Sequence, residues 1–213
     1  MAVVGIVPAA GSGERLGASG PKAFVTCAGK PLLDWSLGAL AEVCERVVVA
    51  LPPEVDADGP DRIAGGASRS ESVALALAAA PEAEIVVVHD AARPLVTAPT
   101  VRRCIEALDD GFDGAIAAAR MTDTVKQAAA DGRITATLDR SKLWRAQTPQ
   151  VFRADVLRNA LQVAPDVLAA ATDDALLVEE GGGRVCVVEA PLENIKVTHP
   201  IDLVLAEALL RSR

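Results

Sequence analysis

Short apolar runs alternate with longer amphipathic stretches over the first 120 residues of the chain. Residues 3–7, Val-Val-Gly-Ile-Val, are largely β-branched and closed by Pro8, which predicts a buried parallel strand. Arg46 to Leu51, built on Val47-Val48-Val49, and residues 85–88, Ile-Val-Val-Val, predict two more. Between and after them the period changes. Residues 31–43 place Leu32, Leu33, Trp35, Leu37 and Leu40 at helical spacing, and residues 68–80 form an Ala- and Leu-rich helix that Pro81 ends. Residues 100–108 read as a helix with Gly111 just beyond it, and residues 115–119 as a strand, although Ala favours helices. Such alternation predicts an α/β fold: one three-layer domain with a mostly parallel twisted sheet covered on both faces.

From residue 121 to 150 the pattern differs. Residues 122–127 and 133–138 alternate weakly around Asp131-Gly132 and predict a two-stranded hairpin. A lone hairpin is marginal in water, so residues 121–142 are expected to form an arm that leans on another subunit. Helices return at residues 154–163 and 174–180, a strand at residues 185–189, and a terminal helix at residues 200–211 with Ile201, Leu203, Leu205 and Leu209 buried. No linker or repeat interrupts residues 1–213, which are read as a single domain.

Composition narrows the possibilities. With two Trp, three Phe and no Tyr, the core must be built from Ala, Val and Leu. A net charge of −8 argues against a nucleic-acid partner, yet leaves room for a local cationic site that takes a small polyanion. Cys27, Cys44, Cys104 and Cys186 form no paired spacing and only His89 and His199 accompany them, so neither a zinc site nor a disulfide scaffold is expected. There is no basic, apolar leader and no run of about 18 apolar residues, so no membrane segment is expected and a cytoplasmic location is.

The most informative segment follows the first strand: Pro8-Ala9-Ala10-Gly11-Ser12-Gly13-Glu14-Arg15-Leu16-Gly17, then Pro21-Lys22. In parallel sheets ligands bind in the loops at the carboxyl ends of strands. Small residues let backbone N–H groups approach a phosphate, while Arg15 and Lys22 add fixed positive charge. The Walker string Gly-x-x-x-x-Gly-Lys-Ser/Thr is absent. The dinucleotide string fails because Leu16 stands at its third Gly, and the second strand ends in Leu51-Pro52 without an acid for a ribose hydroxyl. What remains is either a tight strand-to-helix turn with solvated charges or, as Arg15 and Lys22 in one loop favour, a phosphate-binding loop at a strand end.

These residues resemble the signature of sugar-nucleotide-type nucleotidyltransferases. Gly65-Gly66 with Arg69 and Ser72-Val73, His89-Asp90-Ala91-Ala92-Arg93-Pro94, Thr148-Pro149-Gln150 and Asn194-Ile195-Lys196-Val197-Thr198 follow in order, and the set resembles the 2-C-methyl-D-erythritol 4-phosphate cytidylyltransferase family. The resemblance implies a Rossmann-like nucleotidyltransferase fold with a protruding β-hairpin arm, and transfer of cytidylyl from CTP to a small phosphorylated alditol with release of pyrophosphate. It also implies Mg²⁺, held mainly through the CTP phosphates with no protein metal ligand assigned, and a homodimer built by arm exchange. The acceptor is an ionised phosphate, so positioning and charge neutralisation suffice without a general base.

By the same resemblance Arg15, Lys22, Arg140 and Lys196 are catalytic. Ala9, Ala10, Gly11, Ser12, Gly13, Gly66, Ser72, Asp90 and Ala91 bind the nucleotide, and the Ser72 hydroxyl helps to read cytosine. Asp90, Arg93, Thr124, Arg140, Thr148, Thr172 and Lys196 bind the acceptor. His89 is expected to be a core histidine. Two departures bear on base choice: Ala23 follows Lys22 where the family often has Gln, and Ala67 stands where some members have Asp. The alternatives are a cytidylyltransferase for ribitol 5-phosphate or another alditol phosphate, and a non-catalytic nucleotide-binding protein on the same fold.

Overall fold

The three β-branched runs form the middle of one sheet. The structure, a computed structural model, describes residues 1–11, 13–17, 20–57 and 59–213. In chain order its strands are β1 (Val3–Pro8), β2 (Thr26–Cys27), β3 (Lys30–Pro31), β4 (Arg46–Leu51), β5 (Arg62–Ala64), β6 (Ile85–Val88), β7 (Gly114–Arg120), β8 (Lys126–Ala128), β9 (Ile134–Thr137), β10 (Trp144–Arg153) and β11 (Val185–Glu189). Its α-helices are α1 (Leu32–Ala41), α2 (Arg69–Ala78), α3 (Ala98–Glu106), α4 (Ala154–Ala160), α5 (Pro165–Ala170), α6 (Asp174–Glu180) and α7 (Pro200–Arg211).

Seven strands make the main sheet in the order β11-β7-β10-β6-β1-β4-β5. β1 pairs in parallel with β4 and β6, while β10 runs antiparallel to both β6 and β7. Side chains alternate across the sheet as period two requires. Val4, Ile6, Val86 and Val88 pack on one face against Val73 and Leu77 of α2, Leu157 of α4 and Leu177 of α6. Val7, Val49, Val87 and Val151 pack on the other against Leu33 and Leu40 of α1 and Val101 of α3. The expected mostly parallel, three-layer α/β sheet is therefore present. β8 and β9 form a separate antiparallel ladder, with Gly132 at a positive φ of 84° in its turn.

The structure corrects several expectations about elements. β10 is a ten-residue strand where no strand was expected. Its polar Arg145, Gln147, Thr148 and Gln150 erase any apolar signal, and a register shift between Ala146 and Gln150 accommodates Pro149 inside the sheet. α5 and β5 were also unforeseen, being short. The hairpin strands are shorter than expected. In α7 the buried residues are Ala206 and Leu210, with Leu203 and Leu209 partly covered, whereas Ile201 and Leu205 are 70% and 48% exposed. The helix touches the body along one narrow stripe, and Ile201 and Leu205 fall outside it.

Among the described residues no helix is long and apolar enough to cross a membrane.

Candidate active site

The chain leaves β1 at Pro8, and Ala9 N–H donates to Ala50 O of β4 at 2.8 Å, continuing the ladder one step into the loop. Gly13 and Gly17, both left-handed, bracket a 3₁₀ turn (Glu14–Leu16) whose Leu16 plugs into an apolar cluster with Leu32 and Val197. Lys22 N–H returns to Gly11 O at 3.2 Å. A Cβ on Gly13 would stand 2.9 Å from Cβ of Lys22, so only glycine lets this loop close on the lysine. A second loop closes against it, since a Cβ on Gly65 would lie 2.7 Å from Cβ of Ala10.

Between these loops lies a half-open cleft of about 520 Å³. Of the expected site residues Ala9, Ala10, Gly11, Gly13, Arg15, Lys22, Gly66, Ser72, Asp90, Ala91 and Lys196 line it. Ser12 lies outside the described residues. The Ser72 hydroxyl is engaged within its own loop, accepting from Gly66 N–H at 3.1 Å and donating to Ser68 O at 2.9 Å, so it shapes the cleft wall.

Asp90 sits behind the cations, 6% exposed. Its Oδ1 accepts from Arg69 Nε at 3.0 Å and its Oδ2 from Lys196 Nζ at 2.8 Å, with Arg93 Nε at 3.8 Å. Burial alone would push its carboxyl up, but Arg69, Lys196 and Arg93 hold it well below the usual carboxylate range. Lys22 is lowered too, but for an ammonium that direction disfavours the charged form. Burial, then the neighbouring Lys196 and Arg15 charges, lower it from the ordinary lysine value to about 8, against the pull of Asp90 and Asp202. A cluster of cations with their counter-ion set behind them is suited to receive a polyanion.

Other expected residues stand elsewhere. Arg93 is buried behind the cleft and donates from Nη1 to Asn194 O at 2.8 Å. Thr148 is buried, its Oγ1 accepting from Asp90 N–H and lying 3.0 Å from Nδ1 of His89. His89 is wholly buried, and burial lowers it to about 4, as befits a neutral core histidine. Thr124, Arg140 and Thr172 do not line the cleft of this chain; Arg140 Nη1 donates to Thr122 O at 2.6 Å at the base of the arm.

Sequence reasoning gave no role to Arg69, Ser68 or Thr198, all of which line the cleft. The signal was present at Ser68-x-x-Glu71, a capping pattern in which Ser68 Oγ accepts from Glu71 N–H. It fixes Arg69 as the first residue of α2, at the strand ends.

The family model described as 2-C-methyl-D-erythritol 4-phosphate cytidylyltransferase matches residues 3–212. The chain belongs to that family. It is 42% identical over 226 residues to the enzyme of that name from Saccharopolyspora erythraea, covering 99% of this chain and 100% of the relative. It is 46% identical over 218 residues to the one from Frankia casuarinae, covering 98% and 81%. The crystal structure of the Thermus thermophilus cytidylyltransferase matches with a TM-score of 0.83 at 37% identity, covering 99% and 100%. The cytidylyltransferase reaction joins the cytidylyl group of CTP to 2-C-methyl-D-erythritol 4-phosphate, giving 4-diphosphocytidyl-2-C-methyl-D-erythritol and pyrophosphate in the non-mevalonate route to isoprenoids.

Proposed function

We propose that the cleft divides the labour of this reaction between a cationic end and an uncharged end. Arg15 and Lys22 take the triphosphate and stabilise the charge that builds on the α-phosphate and on the leaving pyrophosphate. Ala10, Gly11, Gly13 and Gly66 admit the nucleoside by close backbone approach. Lys196, held by Asp90, orients the acceptor phosphate. The observation that carries this reading is the convergence of Lys22, Arg15 and Lys196 on one cleft, where burial first and then the Lys196 and Arg15 charges lower Lys22 to about 8. The catalytic demand is alignment and neutralisation, because the attacking oxygen is already ionised.

A divalent metal fits this site as a passenger on the nucleotide. Among the described residues no three His, Cys, Asp or Glu side chains gather as a cage. Asp90 is spent on Arg69 and Lys196. Mg²⁺ commonly binds substrate phosphates with few protein ligands, where it neutralises phosphate oxygens.

The arm is the means of completing the acceptor pocket. Ile134 and Leu138, 60% and 38% exposed on the hairpin, offer an apolar surface to a second copy. In a homodimer built by arm exchange, Arg140 and Thr172 would reach the neighbour's cleft.

The test is pyrophosphate release with CTP, UTP, ATP and GTP crossed against methylerythritol phosphate, ribitol 5-phosphate and sugar phosphates. CTP with methylerythritol phosphate is expected to exceed every other pair. A faster ribitol phosphate reaction would move the acceptor assignment, and no release from any pair would support a binding protein.

A further inference from the structure

A carboxylate that the proposed mechanism does not use lies behind the cleft wall. Asp174, the first residue of α6, is 0% exposed. Its Oδ2 accepts from Arg69 Nη1 at 2.8 Å, while its Oδ1 has no hydrogen-bond partner among the described residues. Arg69 in turn reaches Asp90 through Nε, and Asp90 reaches Lys196. One chain of charge therefore runs Asp174–Arg69–Asp90–Lys196, from the sealed interior to a lysine whose side chain is 41% exposed at the cleft.

The surroundings hold Asp174 firmly. Gln150 Oε1 accepts from the N–H groups of Asp174 and Ala175, each at 3.2 Å, and Gln150 Nε2 donates to Asp173 Oδ2 at 2.8 Å. Asp173 caps the helix by accepting from Leu176 N–H. This occupies Gln150, which the motif Thr148-Pro149-Gln150 contained without a role of its own. The site is expensive as packing: a buried ion pair seldom outdoes apolar residues of similar volume, and an unsatisfied carboxylate oxygen adds to the cost. A shape-filling role would be served better by Leu or Met.

We infer that Asp174 is a positioning residue, holding the Arg69 fork so that Arg69 Nε fixes the Asp90 carboxylate against Lys196. Arg69 carries its fork on a long, flexible stem at the cleft wall, and two carboxylates set it where one would leave it free to rotate. Without Asp174, Arg69 turns toward the cleft and Asp90 loses its fixed orientation, so the acceptor phosphate meets a misplaced Lys196. The inference rests on the reading of Asp90 and Lys196 as acceptor-site residues.

The experiment is a double-mutant cycle on steady-state kinetics with CTP and methylerythritol phosphate. Asp174→Asn keeps shape and removes the charge that holds Arg69 Nη1, so that Asp90 alone is left to set the guanidinium. It is expected to lower kcat/KM for the acceptor by ~10-fold or more, the scale for misplaced catalytic geometry, while KM for CTP changes less than ~3-fold. Arg69→Gln is expected to cause a comparable loss, and Arg69→Gln with Asp174→Asn no more than Arg69→Gln alone, because the acid acts through the guanidinium. The double variant removes both buried charges and guards against misfolding of Arg69→Gln. Additive losses, or an Asp174→Asn enzyme that loses thermal stability while keeping its acceptor kinetics, would overturn the inference. Lys196→Ala is measured alongside: unchanged acceptor kinetics there would sink the acceptor-site reading itself.

Discussion

Lys22 gives the sharpest test of the cationic cleft, because its charge is set by its position. Burial and the ammonium of Lys196 bring it to about 8 in the free enzyme. A lysine of that pKa is ~90% charged at pH 7 and ~10% charged at pH 9. The charged form is the useful one, so loss lies on the alkaline side: kcat/KM for CTP, which reports the free enzyme, is expected to fall ~10-fold between pH 7 and 9. Lys22→Arg keeps its charge throughout and removes that limb, at whatever level its bulkier head permits. Lys22→Ala lowers turnover at pH 7 by at least ~100-fold. Stability runs the opposite way. The folded pKa lies below the unfolded one, so between about 8 and the ordinary value of 10.5 the unfolded chain binds more protons, and this residue's contribution rises with pH. The assay is coupled pyrophosphate release at saturating acceptor across pH 6.5 to ~9.5, beside urea unfolding of the free enzyme. A wild-type profile flat to pH ~9, or a Lys22→Arg profile that falls like the wild type, would refute the reasoning.

Four further outcomes follow from packing and burial. Gly65→Ala puts a methyl 2.7 Å from Cβ of Ala10 and 3.1 Å from the carbonyl oxygen of Leu51, so the two cleft loops must part; kcat/KM for CTP is expected to drop by ~10-fold or more, and unaltered kinetics would show that the loops have slack. His89, wholly buried and lowered from 6.5 to about 4, binds fewer protons folded than unfolded between those values, so stability is lost as pH falls through that window by about 3 kcal/mol; urea midpoints of His89→Gln should show a shallower decline. Thr148→Val leaves Asp90 N–H without its acceptor and costs about 1–3 kcal/mol in the same experiment. Under the proposed arm exchange the chain runs as a dimer, and serine at both Ile134 and Leu138 should lower the solution mass to that of a monomer at micromolar concentration with far-ultraviolet circular dichroism unchanged; a dimer that persists in the variant would remove the arm from the interface.

Legibility in this chain follows how far apart cause and effect lie. β1, β4 and β6 announce themselves because a strand covered on both faces needs an unbroken apolar run, and three such runs stand in the sequence. β10 is equally central yet invisible. Its Gln147, Thr148 and Gln150 are buried, and their cost is offset by partners distant in sequence, such as Asn194 Nδ2 on Gln147 Oε1. Periodicity has no access to such pairings. In α7 the apolar period was real, but nothing local says which residues face the body and which, like Ile201, face out. The site divides in the same way. The loop from Gly11 to Lys22 is one local stretch whose glycines and cations state its purpose. Arg69 and Asp174 meet across 105 residues, and only the fold joins them.

That long-range pairing bears on how an acidic protein presents a cationic cleft. The chain carries −8 overall, so local sign must be arranged by depth. Asp90 and Asp174 are 6% and 0% exposed, while the Lys196 side chain is 41% exposed and Arg15 stands at the surface. On the proposed reading a triphosphate entering the cleft meets Arg15, Lys22 and Lys196, and Asp90 and Asp174 act on the cations from behind. Were the acids in front, they would hold the same cations equally well but repel the ligand. Depth therefore lets one carboxylate anchor Lys196 without cancelling its field at the cleft, where low dielectric behind and polyanion in front both strengthen the attraction. The same arrangement makes the buried acids costly to disturb singly: neutralising Asp90 would leave Arg69, Lys196 and Arg93 to repel one another in a partly dehydrated wall, so its loss should damage folding and acceptor binding together, whereas loss of Arg15, exposed and at the rim, should damage catalysis alone.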